Sequence, residues 1–150
     1  MNRIHRWLWR SAGWKNSLPN RIVPWVLRDI DLGSDVLEVG PGLTSDLLRA
    51  SYERLTAIEI DDRLAAALED RLVGTNVAVV RGDATTMPFE NASFSGAVAF
   101  TMLHHVPTAE KQDRLLREVR RVLKPGALFA GTDAKQSVPL RLLHIGDTYG

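Results

Sequence analysis

Val36-Leu37-Glu38-Val39-Gly40-Pro41-Gly42-Leu43-Thr44 is the stretch on which the reading of this chain turns. Asp35 to Val39 is a short apolar run carrying one carboxylate, the composition of a buried strand. Gly40 and Gly42 follow, and without Cβ atoms they let the backbone turn sharply and approach a ligand. Thr44, Ser45 and Asp46 are residue types that cap helix N-termini, and they precede Leu47 and Leu48, so a short helix is expected from Ser45 to about Ala50. Strand, glycine turn and helix start make a nucleotide-binding crossover. A dinucleotide site carries G-x-G-x-x-G at this place. Here Ser45 stands at the third glycine position, and Glu38 precedes the first glycine by two residues, where a carboxylate suits a cationic ligand and repels a pyrophosphate.

Working outward, Leu55 to Ile60 reads as a second buried strand. Glu59, at its carboxyl end, is placed to accept hydrogen bonds from ribose hydroxyls. Asp61 is the expected cap of a helix in which Leu64, Leu68 and Leu72 repeat every four residues, and Gly74 ends it. Val77 to Arg81 is a third strand, leading into Gly82-Asp83-Ala84 and then Pro88-Phe89. Taken alone, Asp83 fits an Asx-type turn. Phe94 to Phe100 is a fourth strand, and Thr101-Met102-Leu103-His104-His105-Val106-Pro107 lies at its end, where open α/β sheets place ligands. Thr108 caps a long helix to about Val122 with Leu115, Leu116, Val119 and Val122 as its buried stripe. Lys124-Pro125-Gly126 stops it, and Ala127 to Thr132 is a fifth strand. Strands alternating with helices predict a parallel sheet with right-handed crossovers.

The Glu38 glycine turn resembles motif I of the class I S-adenosylmethionine-dependent methyltransferases, in their type 11-like form. Their usual pattern is Glu/Asp-x-Gly-x-Gly-x-Gly. This chain departs from it: either Thr44 replaces the third glycine or two residues are missing before Leu43, in keeping with a 21-residue step from Glu38 to Glu59. Gly82-Asp83-Ala84 with Pro88-Phe89 is similar to the family's adenine-binding turn, and Val122 to Ala127 looks like its turn before the fifth strand. The resemblance implies a Rossmann-like parallel sheet with helices on both faces and S-adenosyl-L-methionine as cofactor. It assigns Glu38, Gly40, Pro41 and Gly42 to the methionyl part, Glu59 and Ile60 to the ribose, and Asp83 and Ala84 to the adenine, with Thr101 also in the cofactor set. The family's sheet ends in a strand pair for which the residues after Asp133 show no pattern. The chain therefore reads as C-terminally short or a fragment, with an open sheet edge that a second copy could pair, giving a homodimer.

His104 and His105 are the candidates for acid–base work in the substrate pocket, and adjacent residues in a loop point in different directions. Their competing role is packing or helix-entry hydrogen bonding. His5 and His144 are remote in sequence, so no metal site is expected. Amino-directed nucleic-acid methyltransferases carry Asn/Asp-Pro-Pro-aromatic after the fourth strand. Its absence argues against a nucleic-acid partner, although Ala57-Ile58-Glu59-Ile60-Asp61 resembles the ribosomal RNA adenine dimethyltransferases.

The 150 residues, 45% hydrophobic and 25% charged, suit one globular domain. Zero cysteines exclude disulfides and thiolate metal sites. No apolar run reaches the ~18 residues of a membrane span, which predicts a soluble, cytoplasmic protein. Residues 1–28 carry six basic groups and no acid, along with all four tryptophans. The remainder holds 13 basic and 18 acidic groups. Residues 1–30 thus read as a basic, Trp-rich helical arm and 31–150 as the cofactor-binding domain. The arm suits a peripheral membrane contact or an apolar cover near the cofactor mouth. The leading expectation is methyl transfer to a small-molecule or lipid-like acceptor. The alternatives are a non-catalytic or degenerate cofactor-binding module and, below that, an NAD-dependent oxidoreductase, for which no Tyr-x-x-x-Lys is present.

Overall fold

The computed structural model describes residues 18–133. Five strands form one fully parallel sheet: β1 (Asp35–Val39), β2 (Arg54–Glu59), β3 (Val77–Arg81), β4 (Phe94–Phe100) and β5 (Leu123–Thr132), in the order β3-β2-β1-β4-β5. The order reverses direction between β1 and β4, which opens a crevice at the carboxyl ends of those strands. The helices are α1 (Val23–Leu27), α2 (Ser45–Leu48), α3 (Asp62–Leu72) and α4 (Ala109–Val122). A π turn, Leu18–Ile22, precedes α1, and a 3-10 turn, Leu103–His105, follows β4.

Alternation along β1 divides the layers. Leu37 and Val39 pack with Leu115, Val119 and Val122 of α4, while Val36 faces the opposite way with Val23 of α1 and Leu48 of α2. Leu68 and Leu72 of α3 cover Ala57 of β2 on that second face. Helices therefore lie on both faces, as expected of a parallel sheet whose inner strands β1 and β4 are buried almost throughout.

The capping residues act as their types predict at two places. Asp61 accepts from the backbone N–H groups of Arg63 and Leu64, and the Thr108 hydroxyl accepts from Lys111. Three features differ from the expectation. α2 ends at Leu48, short of Ala50. Leu64 and Leu116, expected within buried stripes, are exposed. β5 begins at Leu123 without a separate turn, and a register irregularity between Phe94 and Gly96 absorbs Lys124-Pro125-Gly126. The Trp-rich part of the arm before residue 18, and the segment after Asp133 in which no strand pair was expected, lie outside the described residues. Ile22, Val26, Leu27 and Ile30, assigned to that arm, pack against the core beside Val23.

Candidate cofactor site

Glu38 is fully buried at the start of the glycine turn. Thr44 Oγ1 donates to its Oε1 and Ser45 Oγ to its Oε2, the latter at 2.5 Å. Burial pushes the Glu38 carboxyl above the usual glutamate range, against the opposing pull of the Ser45 and Thr44 hydroxyls. Thr44 occupies the N-cap position of α2 with helical rather than extended dihedrals, φ −77° and ψ −29°, and makes no cap bond with its side chain; its hydroxyl is turned to Glu38 instead. The carboxylate is thus the knot that ties the turn back onto β1, and it does not line the cavity beside it.

Within the turn, Gly40 has φ +65°, and a Cβ there would sit 2.8 Å from the Met102 Cβ. A side chain at this position would meet both backbone strain and a clash. The carbonyl of Gly42 accepts from Arg71 Nη2 at 2.7 Å, and Arg71 Nε lies 3.0 Å from Asp46 Oδ2. One side chain from α3 therefore holds the turn from outside while Glu38 holds it from inside.

A cavity of about 380 Å³ opens over the carboxyl ends of β3, β2, β1 and β4, within the size range of small-molecule sites. Gly40, Pro41, Gly42, Glu59, Ile60, Asp83, Ala84, Thr101 and His105 all line it. Of the residues assigned from sequence, only Glu38 and His104 do not. His104 turns away: its Nδ1 lies 2.5 Å from Asp133 Oδ1 and its backbone N–H donates to Asp133 Oδ2, as neighbouring residues in a 3-10 turn diverge. The His104 and His105 rings remain in contact, with centroids 4.1 Å apart.

Glu59 is buried enough that desolvation raises its pKa, while the backbone N–H groups of Asp61 and Ile60 oppose that shift. Asp61 N donates to its Oε1 at 2.9 Å, which aims the carboxylate from one side only. Asp83 Oδ1 accepts from Thr85 N at 2.7 Å, the Asx turn expected of it. The loop beyond is pinned to α4. Arg121 donates to the carbonyls of Met87 and Phe89, and Glu118 accepts from Met87 N. Thr101, β-branched yet at φ 52°, adopts a conformation that costs of order 1–3 kcal/mol, and its sealed Oγ1 has no hydrogen-bond partner among the described residues.

Sequence reasoning did not single out Met102, Lys111 or Arg71, which also line the cavity. For Arg71 a signal existed: it falls seven residues after Leu64, on the helical face that Leu64 and Leu68 share. Among the described residues no cluster of His, Cys, Asp and Glu could hold a metal ion, and no helix is long and apolar enough to cross a membrane.

A parallel sheet of this order, with a glycine turn after β1 and acidic residues after β2 and β3, is the class I methyltransferase fold. The family described as "Methyltransferase domain" matches residues 37–131, and the chain belongs to it; S-adenosylmethionine is the cofactor that goes with this domain. The chain is 30% identical over 104 residues to a sterol 24-C-methyltransferase of Gibberella zeae, covering 65% of this chain and 27% of that protein. It is 43% identical over 65 residues to ribosomal RNA small subunit methyltransferase A of Moorella thermoacetica, covering 41% and 23%. The solved PH0226 protein of Pyrococcus horikoshii superposes with a TM-score of 0.73 at 22% identity, covering 91% of this chain and 62% of that one. The chain spans about a quarter to two fifths of the length of the curated relatives it matches.

Proposed function

We propose that this domain binds S-adenosylmethionine across the ends of β3, β2 and β1 and transfers its methyl group to a small-molecule or lipid-like acceptor. The observation that carries the reading is the convergence of Asp83, Glu59 and the Gly40–Gly42 turn on one cavity, in the lateral order of their strands. In this reading Asp83, whose Oδ2 is left over by the Thr85 bond, takes the adenine amine with help from the Ala84 backbone. Glu59 accepts the ribose hydroxyls, and the glycine turn admits the methionyl part. The bound cofactor supplies an electrophilic methyl group; the protein's part is to align an acceptor with it and exclude water, which can supply much of the rate.

The acceptor side is mostly apolar, with Lys111 at its edge. Phe100, Met102, Val106, Pro107 and Leu115 line the wall beyond the turn, with His105 as the titratable group among them. This lining and the sterol-acting relative favour a lipid-like acceptor over a nucleic acid. The relative that acts on ribosomal RNA points the other way, yet residues 101–107 lack the tetrad expected for base methylation. His105 would take a proton only from an acceptor that must lose one. A basic, Trp-rich arm before residue 18 would bring the domain to the surface where such an acceptor resides.

Calorimetric titration with S-adenosylhomocysteine tests the core of the proposal, with Asp83→Ala as a control and NAD as competitor. Binding near the micromolar range, about −8 kcal/mol, that Asp83→Ala weakens and NAD does not displace supports it. Displacement by NAD would install the oxidoreductase reading. The short glycine turn favours a second reading, a binding module without catalysis. Binding of S-adenosylhomocysteine without methyl transfer from S-adenosylmethionine to a panel of sterols and quinols would favour it.

A further inference from the structure

Four charged side chains line the cavity: Glu59, Asp83, Arg71 and Lys111. The proposed cofactor contacts use both acids and neither cation. Arg71 is held at the glycine turn by two bonds, Nη2 to the Gly42 carbonyl and Nε to Asp46, and its Nη1 makes no hydrogen bond among the described residues. The Arg71 side chain is 40% exposed, so it sits in the rim of the cavity with an amine to spare. Its pair with Asp46 is equally exposed, and such pairs are screened by solvent, leaving the guanidinium able to engage a second anion.

The sheet order says which part of a ligand reaches it. Asp83 follows β3, Glu59 ends β2 and Gly42 follows β1, three neighbours in sequence across the sheet. A nucleoside with its base at Asp83 and its ribose at Glu59 projects its 5′ substituent over the Gly42 turn. In S-adenosylmethionine that substituent ends in an α-carboxylate, for which a guanidinium offers charge-assisted hydrogen bonds. Lys111 lies in the first turn of α4, beyond β4 and on the acceptor side.

Resting on the proposed cofactor site, we infer that Arg71 is the residue that selects the cofactor's amino-acid tail, binding its α-carboxylate through Nη1. The bonds to Gly42 and Asp46 fix the guanidinium beforehand, so little side-chain freedom is lost when the carboxylate arrives. The same arginine stabilises the turn and reads the group that the turn admits.

The test compares two ligands that differ in the tail: S-adenosylhomocysteine, which has the carboxylate, and 5′-methylthioadenosine, which lacks it. Calorimetry is run on the wild-type chain, Arg71→Met, Arg71→Lys and, as the other cation, Lys111→Met. Arg71→Met is expected to lose about 10- to 100-fold in S-adenosylhomocysteine affinity, the range of a charge-assisted hydrogen bond. Its affinity for 5′-methylthioadenosine is expected to change by less than about threefold, and Arg71→Lys to recover part of the loss. Equal losses for the two ligands, or a loss in Lys111→Met as large as in Arg71→Met, would overturn the inference while leaving the cofactor site intact. If Arg71→Met does not fold, judged by its thermal transition, the ratio of the two affinities in Arg71→Lys decides in the same way. A wild-type chain that binds neither ligand overturns the cofactor reading and this inference with it.

Discussion

Glu38 and Glu59 stand near the carboxyl ends of adjacent strands, and in the sequence both read as cofactor carboxylates. The structure gives them different surroundings. Glu38 is sealed inside the turn with each oxygen taken by a hydroxyl, whereas Glu59 keeps one side bonded to Asp61 and the other on the cavity. What separates them is the chain that follows. After Glu38 two hydroxyl residues return at positions 44 and 45. After Glu59 the chain enters α3, whose capping carboxylate is Asp61, so Glu59 is met by backbone N–H groups, those of Asp61 and Ile60, and by no side-chain hydroxyl. A carboxylate with a side-chain hydroxyl on each oxygen becomes architecture; one met only by backbone N–H groups at the cavity edge remains available to a ligand.

The largest effect that would break this contrast is at Glu38. Glu38→Ala leaves two buried hydroxyls without their acceptor and opens a void, so urea denaturation should register a loss of about 3 kcal/mol. Glu59→Gln should instead leave stability within about 1 kcal/mol and cost S-adenosylhomocysteine affinity roughly 10-fold or more, read by calorimetry. A large stability loss at Glu59, or none at Glu38, would erase the distinction.

The pH dependences sharpen it. Glu59 accepts ribose hydroxyls best as the carboxylate, and burial raises its pKa. Ligand affinity should therefore weaken as pH falls through a midpoint above the ordinary glutamate value, and Glu59→Gln should flatten the profile. For Glu38 the linkage runs through folding. Its pKa is raised in the folded chain, so its contribution to stability is fully present below the unfolded pKa and is lost as pH rises through the folded value. The stability difference between wild type and Glu38→Gln, followed by urea denaturation across the acid range, should shift in Gln's favour as pH rises. The smallest effect is at Asp61: Asp61→Ala removes the cap of α3 at a cost of about 1 kcal/mol, but keeps the backbone N–H that holds Glu59, so binding should change little.

The elements were legible because their signals are local. Alternating apolar runs, the caps Asp61 and Thr108 and the glycine turn each announce themselves within a few residues, and all five strands lie close to where the pattern puts them. Three things were not legible for one physical reason, that a side chain has a choice of partners. Thr44 has the chemistry of an N-cap, yet its backbone is helical and its hydroxyl turns to Glu38, an outcome that spacing alone does not resolve. Arg71 has the look of a solvated helix residue, and only the fold brings it against Gly42, 29 positions earlier in the chain. His104 and His105 are indistinguishable as letters; Asp133, just past the end of β5, separates them.

The pairing of β1 with β4 also bears on how the domain assembles. Val36 meets Gly96 and Glu38 meets Val98, partners sixty residues apart, and β4 supplies Thr101 and Met102 to the cavity wall. Loop-closure entropy on that scale must be met before the central contact forms, which places such a topology among the slower small-domain folders. On the ribosome β1, β2 and β3 emerge before β4, so β1, central in the finished sheet, has a bare flank until residue 100 is clear of the exit tunnel. Until then the nascent chain has a glycine turn but no opposite wall, and a ligand can reward only the finished sheet.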